Sequence, residues 1–135
     1  MDSLVREGDE AIVLDRLHPK YPNKDATYYR QELAANYHNY VHHFEGVDRV
    51  FHLADLVAIP YCMEHPSESM ANNVLAAMHN LEAARLQRVR RFVFASSAAV
   101  YGDSLFLPSV ESNTSSCMNT YALPEHTGEI LCSLL

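Results

Sequence analysis

Residues 46–103 read GVDRVFHLADLVAIPYCMEHPSESMANNVLAAMHNLEAARLQRVRRFVFASSAAVYGD, and this stretch decides the fold. Residues 49–54 (RVFHLA) and the later run RRFVFASS each predict a strand, because both are apolar and lead into polar residues. Between them, residues 66–86 predict a helix with proline at its start. A strand, a long helix and a second strand in this order predict a parallel pair joined by a crossover.

The preceding and following sequence continues this alternation. AIVLD, residues 11–15, predicts a buried parallel strand, and ATYY, residues 26–29, predicts a short one. Residues 32–46 predict a helix, and residues 119–134 predict the last helix. The expected fold class is therefore α/β with a parallel sheet, and 135 residues are enough for one domain over the whole chain.

Composition and charge argue against several function classes. A net charge of −7 does not suit nucleic acid or an anionic membrane as the main partner. No apolar run approaches the roughly 18 residues of a membrane span, and the charged first residues are unlike a signal peptide. Cys62, Cys117 and Cys132 are odd in number and form no CxxC, which predicts reduced thiols and a cytoplasmic location.

Polar residues follow the predicted strands where a parallel sheet binds ligands, beyond the carboxyl ends of its strands. They are Asp15, the segment His52 to Asp55, Ser96 and Ser97. Strand ends carry polar residues in any case, so a solvated turn acid is an equal interpretation of Asp15 taken alone, and strand-end capping is the default interpretation of Ser96 and Ser97. His38 and His42 have the spacing of two metal ligands on a helix, but a plain helix surface is favoured because no third ligand is evident.

Several motifs in order carry a resemblance to a known family. VFHLA, NNVLAAMHNLEAAR and FVFASSAAVYGD are followed by LPSVES and YALPEHTGE. Together they resemble the extended short-chain dehydrogenase/reductases, specifically the NAD-dependent nucleotide-sugar epimerases and dehydratases, and UDP-sugar 4-epimerases most of all. The resemblance runs from about residue 4 to residue 135. It implies a doubly wound, Rossmann-like parallel sheet with helices on both faces, NAD as cofactor and a nucleotide sugar as substrate.

The resemblance implies cofactor contacts at five positions. Asp15 matches the acid that accepts hydrogen bonds from the adenosine ribose hydroxyls. Glu32 falls where the family has an Asp near the adenine, so its longer side chain departs from the pattern. Leu53 and Ala54 match the strand end that packs along the cofactor. Asn73 matches a helix residue near the dinucleotide, although an Asn satisfied by a neighbouring loop is the usual structural explanation.

On the sugar side, the resemblance implies that Ser97 hydrogen-bonds the reacting sugar oxygen and that Tyr121 is the catalytic base. The family has a Lys four residues after this Tyr, whereas this chain has Glu125. A nearby carboxylate raises the pKa of a Tyr, where a Lys would lower it. Asp55 falls where a small residue is usual and would crowd and repel the cofactor. Pro124 leaves open a helix that begins late, with Tyr121 in a loop.

A second departure concerns the phosphate-binding turn. The four glycines, at positions 8, 46, 102 and 128, do not form the family's GxxGxxG turn. Met1 aligns partway along the family's first helix, so the first strand and the C-terminal substrate-binding part are expected to be missing. The strands at residues 11–15 and 49–54 would then lose their shared neighbour. They could close on each other, or another chain could fill the gap.

Three functional hypotheses follow. The first is a truncated or degenerate family member, a pseudoenzyme without turnover or cofactor of its own. The second is an active oxidoreductase or isomerase that needs another chain for its phosphate turn and sugar site. The third is a non-catalytic interaction module that pairs with a full-length relative, as a homo- or hetero-oligomer, through an open sheet edge.

Overall fold

A computed structural model of the protein describes residues 2–104, 107–113 and 116–135. Its elements in chain order are α1 (Asp2–Arg6), β1 (Ala11–Asp15), β2 (Ala26–Arg30), β3 (Arg49–His52), α2 (Ile59–Glu64), α3 (Pro66–Leu86), β4 (Arg91–Phe94) and α4 (Ala122–Leu134). Short 3₁₀ turns occupy Tyr37–Asn39, Val41–Phe44 and Ala98–Tyr101. Within the described ranges, no helix is both long and apolar enough to cross a membrane.

The strands form two separate parallel pairs. β1 pairs with β2, with Asp15 opposite Arg30, and β3 pairs with β4, with His52 opposite Phe94. The α/β class with parallel strands is therefore confirmed. Among the described residues, β1 and β3 do not pair with each other, so the two halves have not closed into one sheet.

One core cluster holds the two strand pairs together. Tyr40 lies at its centre, is 0% exposed, and donates a hydrogen bond from its hydroxyl to the carbonyl oxygen of Leu33 at 2.9 Å. The other buried members are Leu33, Phe44 and three alanines of α3, and Leu14 of β1 and Val50 of β3 pack against the same cluster. Because both strand pairs contact this cluster, it is the main apolar connection between them.

A surface ion pair joins the beginnings of the same two strands. Nη2 of Arg49, the first residue of β3, lies 3.0 Å from both carboxylate oxygens of Asp9, which precedes β1. Both side chains are more than a third exposed, so the contribution of this pair to stability is small, at about 0–1 kcal/mol. Its importance is geometric, because it sets the amino ends of β1 and β3 side by side.

Helices α3 and α4 cover one face of the second strand pair. Asn80 of α3 lies against His52, with Nδ2 3.3 Å from Nδ1. Gly128 of α4 faces the ring of Phe94, and a side chain at position 128 would collide with that ring. Because His52 and Phe94 are register partners on the same face, the two helices are brought together over the carboxyl ends of β3 and β4.

Three expectations about helices were incomplete or wrong. Residues 32–46 form two 3₁₀ turns and no α-helix, because this segment is rich in Asn, His and Tyr and the Asn36 side chain accepts a bond from the N–H of His38. Helix α4 begins at Ala122, where the side chain of Asn119 accepts from the N–H groups of Tyr121 and Ala122 at 3.0 and 2.8 Å. Helix α2 was not predicted.

Candidate functional site

Four side chains converge beyond the carboxyl ends of β3 and β4. Tyr121 immediately precedes α4, is 8% exposed, and lies beside the side chains of Ser97 and Asp55, both of which influence its pKa. Glu125, one turn along α4, faces Asp55 in the same way. The structure therefore brings together Ser97, Tyr121 and Glu125, which the sequence analysis selected, and adds Asp55 as a neighbour of Tyr121 and Glu125.

Glu125 is a buried acid held in its neutral form. Its side chain belongs to a residue that is only 2% exposed. Burial, the hydrogen bond and negative charge of Asp55, and the charge of Glu129 together raise the pKa of Glu125 to about 8. At neutral pH the group is therefore mostly a carboxylic acid, which can donate a hydrogen bond.

The same surroundings keep Tyr121 protonated. Burial is the largest cause that raises the pKa of its phenol, and the charges of Glu125 and Asp55 add to it. A hydrogen bond from Ser97 acts in the opposite direction, because it stabilises the phenolate, but the net pKa remains raised. A phenol above its ordinary pKa of 10 is a poor proton acceptor at neutral pH.

Asn73 fixes the loop that carries Asp55. Its Oδ1 accepts a hydrogen bond from the N–H of Leu56 at 2.9 Å, and its Nδ2 donates to the Leu56 carbonyl oxygen at 3.4 Å. This is the structural role that the sequence analysis left open as an alternative to cofactor contact. In the same loop, Leu53 is 72% exposed while Ala54 packs against the core cluster.

Replacing Asn73 by Ala is expected to destabilise the fold by about 1–3 kcal/mol, because the N–H of Leu56 loses its partner in a partly buried loop and the Leu56 carbonyl oxygen keeps only the bond from Sγ of Cys62. Urea denaturation measures the loss. Asn72→Ala is the matched control, since the hydrogen bond found for the Asn72 side chain goes to Asn73 itself. Equal losses in the two variants would contradict this role.

Asp15 and Glu32 lie at the end of the other strand pair. Oδ1 of Asp15 accepts from the N–H of Leu17 at 2.8 Å, and the Asp15 carbonyl oxygen accepts from the N–H of Gln31 at 2.8 Å. These bonds place residues 31–32 beside the end of β1. Both acids are exposed. They lie near each other and form no part of the cluster around Tyr121, and their binding roles remain predictions.

The space inside the cluster is very small. A cavity of about 10 Å³ is bounded by side chains that include His52, Asp55, Asn73 and Glu125. This volume is about that of one water molecule. Burial lowers the pKa of His52 to about 4, against an opposing effect of Asp55, so its imidazole is neutral and supplies no positive charge to the two acids.

Glu129 is a site residue that the sequence analysis did not select. It accepts from the hydroxyl of Ser96 at 2.5 Å with Oε1, and its Oε2 lies 3.3 Å from Nδ1 of His126. Its spacing of four residues from Glu125 was the available signal, because such pairs lie on one face of a helix.

Among the described residues, no group of three or more His, Cys, Asp or Glu side chains could hold a metal ion.

Comparison with known sequences identifies relatives over nearly the whole chain. The sequence profile of the NAD dependent epimerase/dehydratase family matches residues 1–134. A UDP-glucose 4-epimerase of Klebsiella pneumoniae is 31% identical over 120 residues, which are 81% of this chain and 86% of that protein. A UDP-glucose 4-epimerase of Lactobacillus helveticus is 31% identical over 122 residues, which are 87% of this chain and 37% of that protein.

Solved structures show the same fold. A UDP-galactose 4-epimerase structure superposes with a TM-score of 0.90 at 32% identity, over 98% of this chain and 45% of that one. A second neighbour, MoeE5, was solved in complex with UDP-glucose and NAD and matches with a TM-score of 0.85 at 27% identity. These matches confirm the Rossmann-like α/β fold. The chain spans less than half the length of the Lactobacillus relative and of these structures.

The residues of this chain fit only one end of a dinucleotide such as NAD. The exposed carboxylate of Asp15 suits a ribose, because a carboxylate can accept from two hydroxyls. At the other end, Asp55 and Glu125 line a cavity of about 10 Å³ and place acids where a dinucleotide would bring further negative charge. The residues at that end do not fit the cofactor.

Proposed function

The chain belongs to the NAD-dependent epimerase/dehydratase family, and from this premise we propose that it retains the family frame without nucleotide-sugar turnover of its own. The observation that carries the proposal is the buried, neutral Glu125 paired with Asp55 beside Tyr121. The turnover that we propose to be absent is that of a nucleotide sugar such as UDP-glucose, which the names of its relatives mention.

Turnover of a nucleotide sugar would need Tyr121 to act as a base. Removing a proton from a sugar hydroxyl calls for a group that is deprotonated near neutral pH. Tyr121 has a raised pKa, and two of the causes are the acids beside it. The two lysines of the chain, Lys20 and Lys24, lie before β2 and are absent from this cluster. Nothing in the cluster favours the phenolate except the hydrogen bond from Ser97.

Turnover is the direct test. The purified chain is incubated with UDP-glucose and NAD, and UDP-galactose is measured by chromatography. We expect none above the no-protein blank, with the Lactobacillus helveticus epimerase as the positive control. If product does form and Tyr121→Phe abolishes it, the proposal is wrong and the chain is an enzyme.

Thermal unfolding tests the cofactor separately. A ligand that binds only the folded state raises the unfolding midpoint. With millimolar NAD we expect the midpoint of this chain to stay unchanged within error, because the acids that line the cavity beside Tyr121 do not fit the dinucleotide. A rise that Asp15→Ala removes would show that the ribose end alone is enough for binding, and would contradict a cofactor-free state.

A second function, that of an interaction module, is supported by the two separate strand pairs. Within the described residues β1 pairs only with β2 and β3 only with β4, so the facing edges can accept a strand. The proposed partner is a full-length relative. Amide hydrogen exchange of β1 and β3 with and without an equimolar relative tests this. Protection of both edges supports it, and unchanged exchange with a strictly monomeric chain excludes it.

A further inference from the structure

The loop after β3 and the first turn of α4 meet at two acids, Asp55 and Glu125, which line the same cavity. Oδ1 of Asp55 is buried and has no hydrogen-bond donor among the described residues. Glu125, its neighbour across the cavity, is 2% exposed. Two carboxylates are both acceptors and cannot bond to each other, whereas a carboxylic acid and a carboxylate can.

We propose that Asp55 and Glu125 hold one proton between them, and that this proton docks the start of α4, with Tyr121, onto the loop after β3. One proton supplies a donor for the buried Oδ1 and removes one of two adjacent negative charges at the same time. Asp55 and Glu125 are then positioning residues for Tyr121. The inference goes beyond the proposed function and does not depend on it, because it involves neither cofactor nor substrate.

The surrounding groups offer no other counter-charge. From β3, His52 faces the cavity as a neutral imidazole. From α3, Asn73 has both polar atoms engaged with Leu56. The segment after β4 contributes the hydroxyl of Ser97, within reach of Tyr121. From α4 itself, Glu129 adds negative charge, although His126 lies 3.3 Å from it.

Other contacts hold the same junction, so the proton adds to an existing interface. Oγ1 of Thr120 donates to the carbonyl oxygen of Cys62 at 2.7 Å, which ties the residue before Tyr121 to α2. Oγ of Ser69 donates to the Thr120 carbonyl oxygen at 3.4 Å, which ties it to α3. Loss of the shared proton is therefore expected to weaken the docking of α4 and to leave the chain folded at moderate pH.

The pH range of the effect follows from the sign of each shift. Glu125 has a pKa of about 8 in the fold and 4.5 in its ordinary state, so its stabilisation is complete below pH 4.5 and is lost as the pH rises to 8. His52, with its pKa lowered from 6.5 to about 4, acts in the opposite sense, and its stabilisation is lost as the pH falls below 6.5. Between pH 6.5 and 8 only the loss from Glu125 remains.

The first experiment measures this window. The thermal midpoint of the wild-type chain is expected to fall by about 5–10 °C between pH 6.5 and 8. Glu125→Gln keeps a donor to Asp55 without a titrating group, so its midpoint should be constant there and close to the wild-type value at pH 6.5. Glu64→Gln, at an exposed acid that is not among the causes of the Glu125 shift, is the control and should keep the fall. A flat wild-type profile, or a fall retained by Glu125→Gln, overturns the proposal.

The second experiment needs no variant to fold. Carbon-detected NMR of the wild-type chain, with the Glu side-chain carboxyl carbons labelled, follows each carboxyl through its titration. We expect the Glu125 signal to titrate near pH 8. If Glu125 had a structural role without proton sharing, the titration midpoint of its carboxyl carbon would not be raised to about pH 8. A Glu125 midpoint below pH 5 overturns the proposal, even if every substitution at position 125 unfolds the protein.

Discussion

Tyr40→Ala is expected to lower the free energy of unfolding by about 3–5 kcal/mol, enough to unfold a domain of this size under mild conditions. Tyr40 is 0% exposed at the centre of the cluster that Leu14 of β1 and Val50 of β3 both contact. Its removal therefore leaves a cavity at the main apolar connection between the two strand pairs. Urea denaturation followed by circular dichroism measures the loss.

Two further variants make this result interpretable. Tyr40→Phe keeps the ring and removes only the hydrogen bond to the Leu33 carbonyl oxygen, so a loss of about 1 kcal/mol is expected. Tyr21→Ala removes an exposed Tyr and should change stability by less than about 0.5 kcal/mol. If Tyr40→Ala costs no more than Tyr40→Phe, the strand pairs are held together by something other than this cluster.

Glu125→Lys is expected to change both the stability and its dependence on pH. At pH 6 the variant should be less stable than the wild type by about 2–4 kcal/mol, because a longer, charged side chain replaces a buried neutral acid. Between pH 6.5 and 8 the wild type loses stability while the Lys variant does not, so the gap should narrow by about 2 kcal/mol. Chemical denaturation at pH 6 and 8.5 measures both values.

The same substitution bears on Tyr121. A cation four residues away replaces a group that raises the pKa of the phenol, so this pKa should be lower in the variant than in the wild type. NMR of the Tyr ring carbons reports it directly, and Glu129→Lys is the matched control, because its charge lies outside the causes of the Tyr121 shift. An unchanged Tyr121 titration would show that position 125 does not act on the phenol.

Much of the fold could be predicted from local sequence pattern. AIVLD and RVFHLA are short apolar runs, and both form parallel strands, although the second ends at His52 and not at Ala54. Helix α3 has the predicted bounds, because proline favours a helix start at Pro66 and the long run that follows has few helix breakers. Pattern failed over residues 32–46, where Asn36 bonds to a local backbone N–H in place of continuing a helix.

The candidate site could be predicted only in part. The motif positions of Ser97, Tyr121 and Glu125 were recognisable, and the structure brings those three together. The role of Asn73 was not decided by sequence, because the same residue type serves a ligand or a loop, and here it serves Leu56. Glu129 was overlooked, since one more acid on a helix carries no distinctive signal until its partner Ser96 is known.

The sequence by itself determined the strands, the long helix and the family, because these depend on local pattern and on motifs in a fixed order. Only the tertiary structure decided the charge of Glu125. The pKa of a carboxyl depends on its burial and on its neighbours, and the deciding neighbour, Asp55, lies far away in the chain. The sequence shows that Glu125 stands where the family has a lysine. The fold makes this glutamate a neutral hydrogen-bond donor.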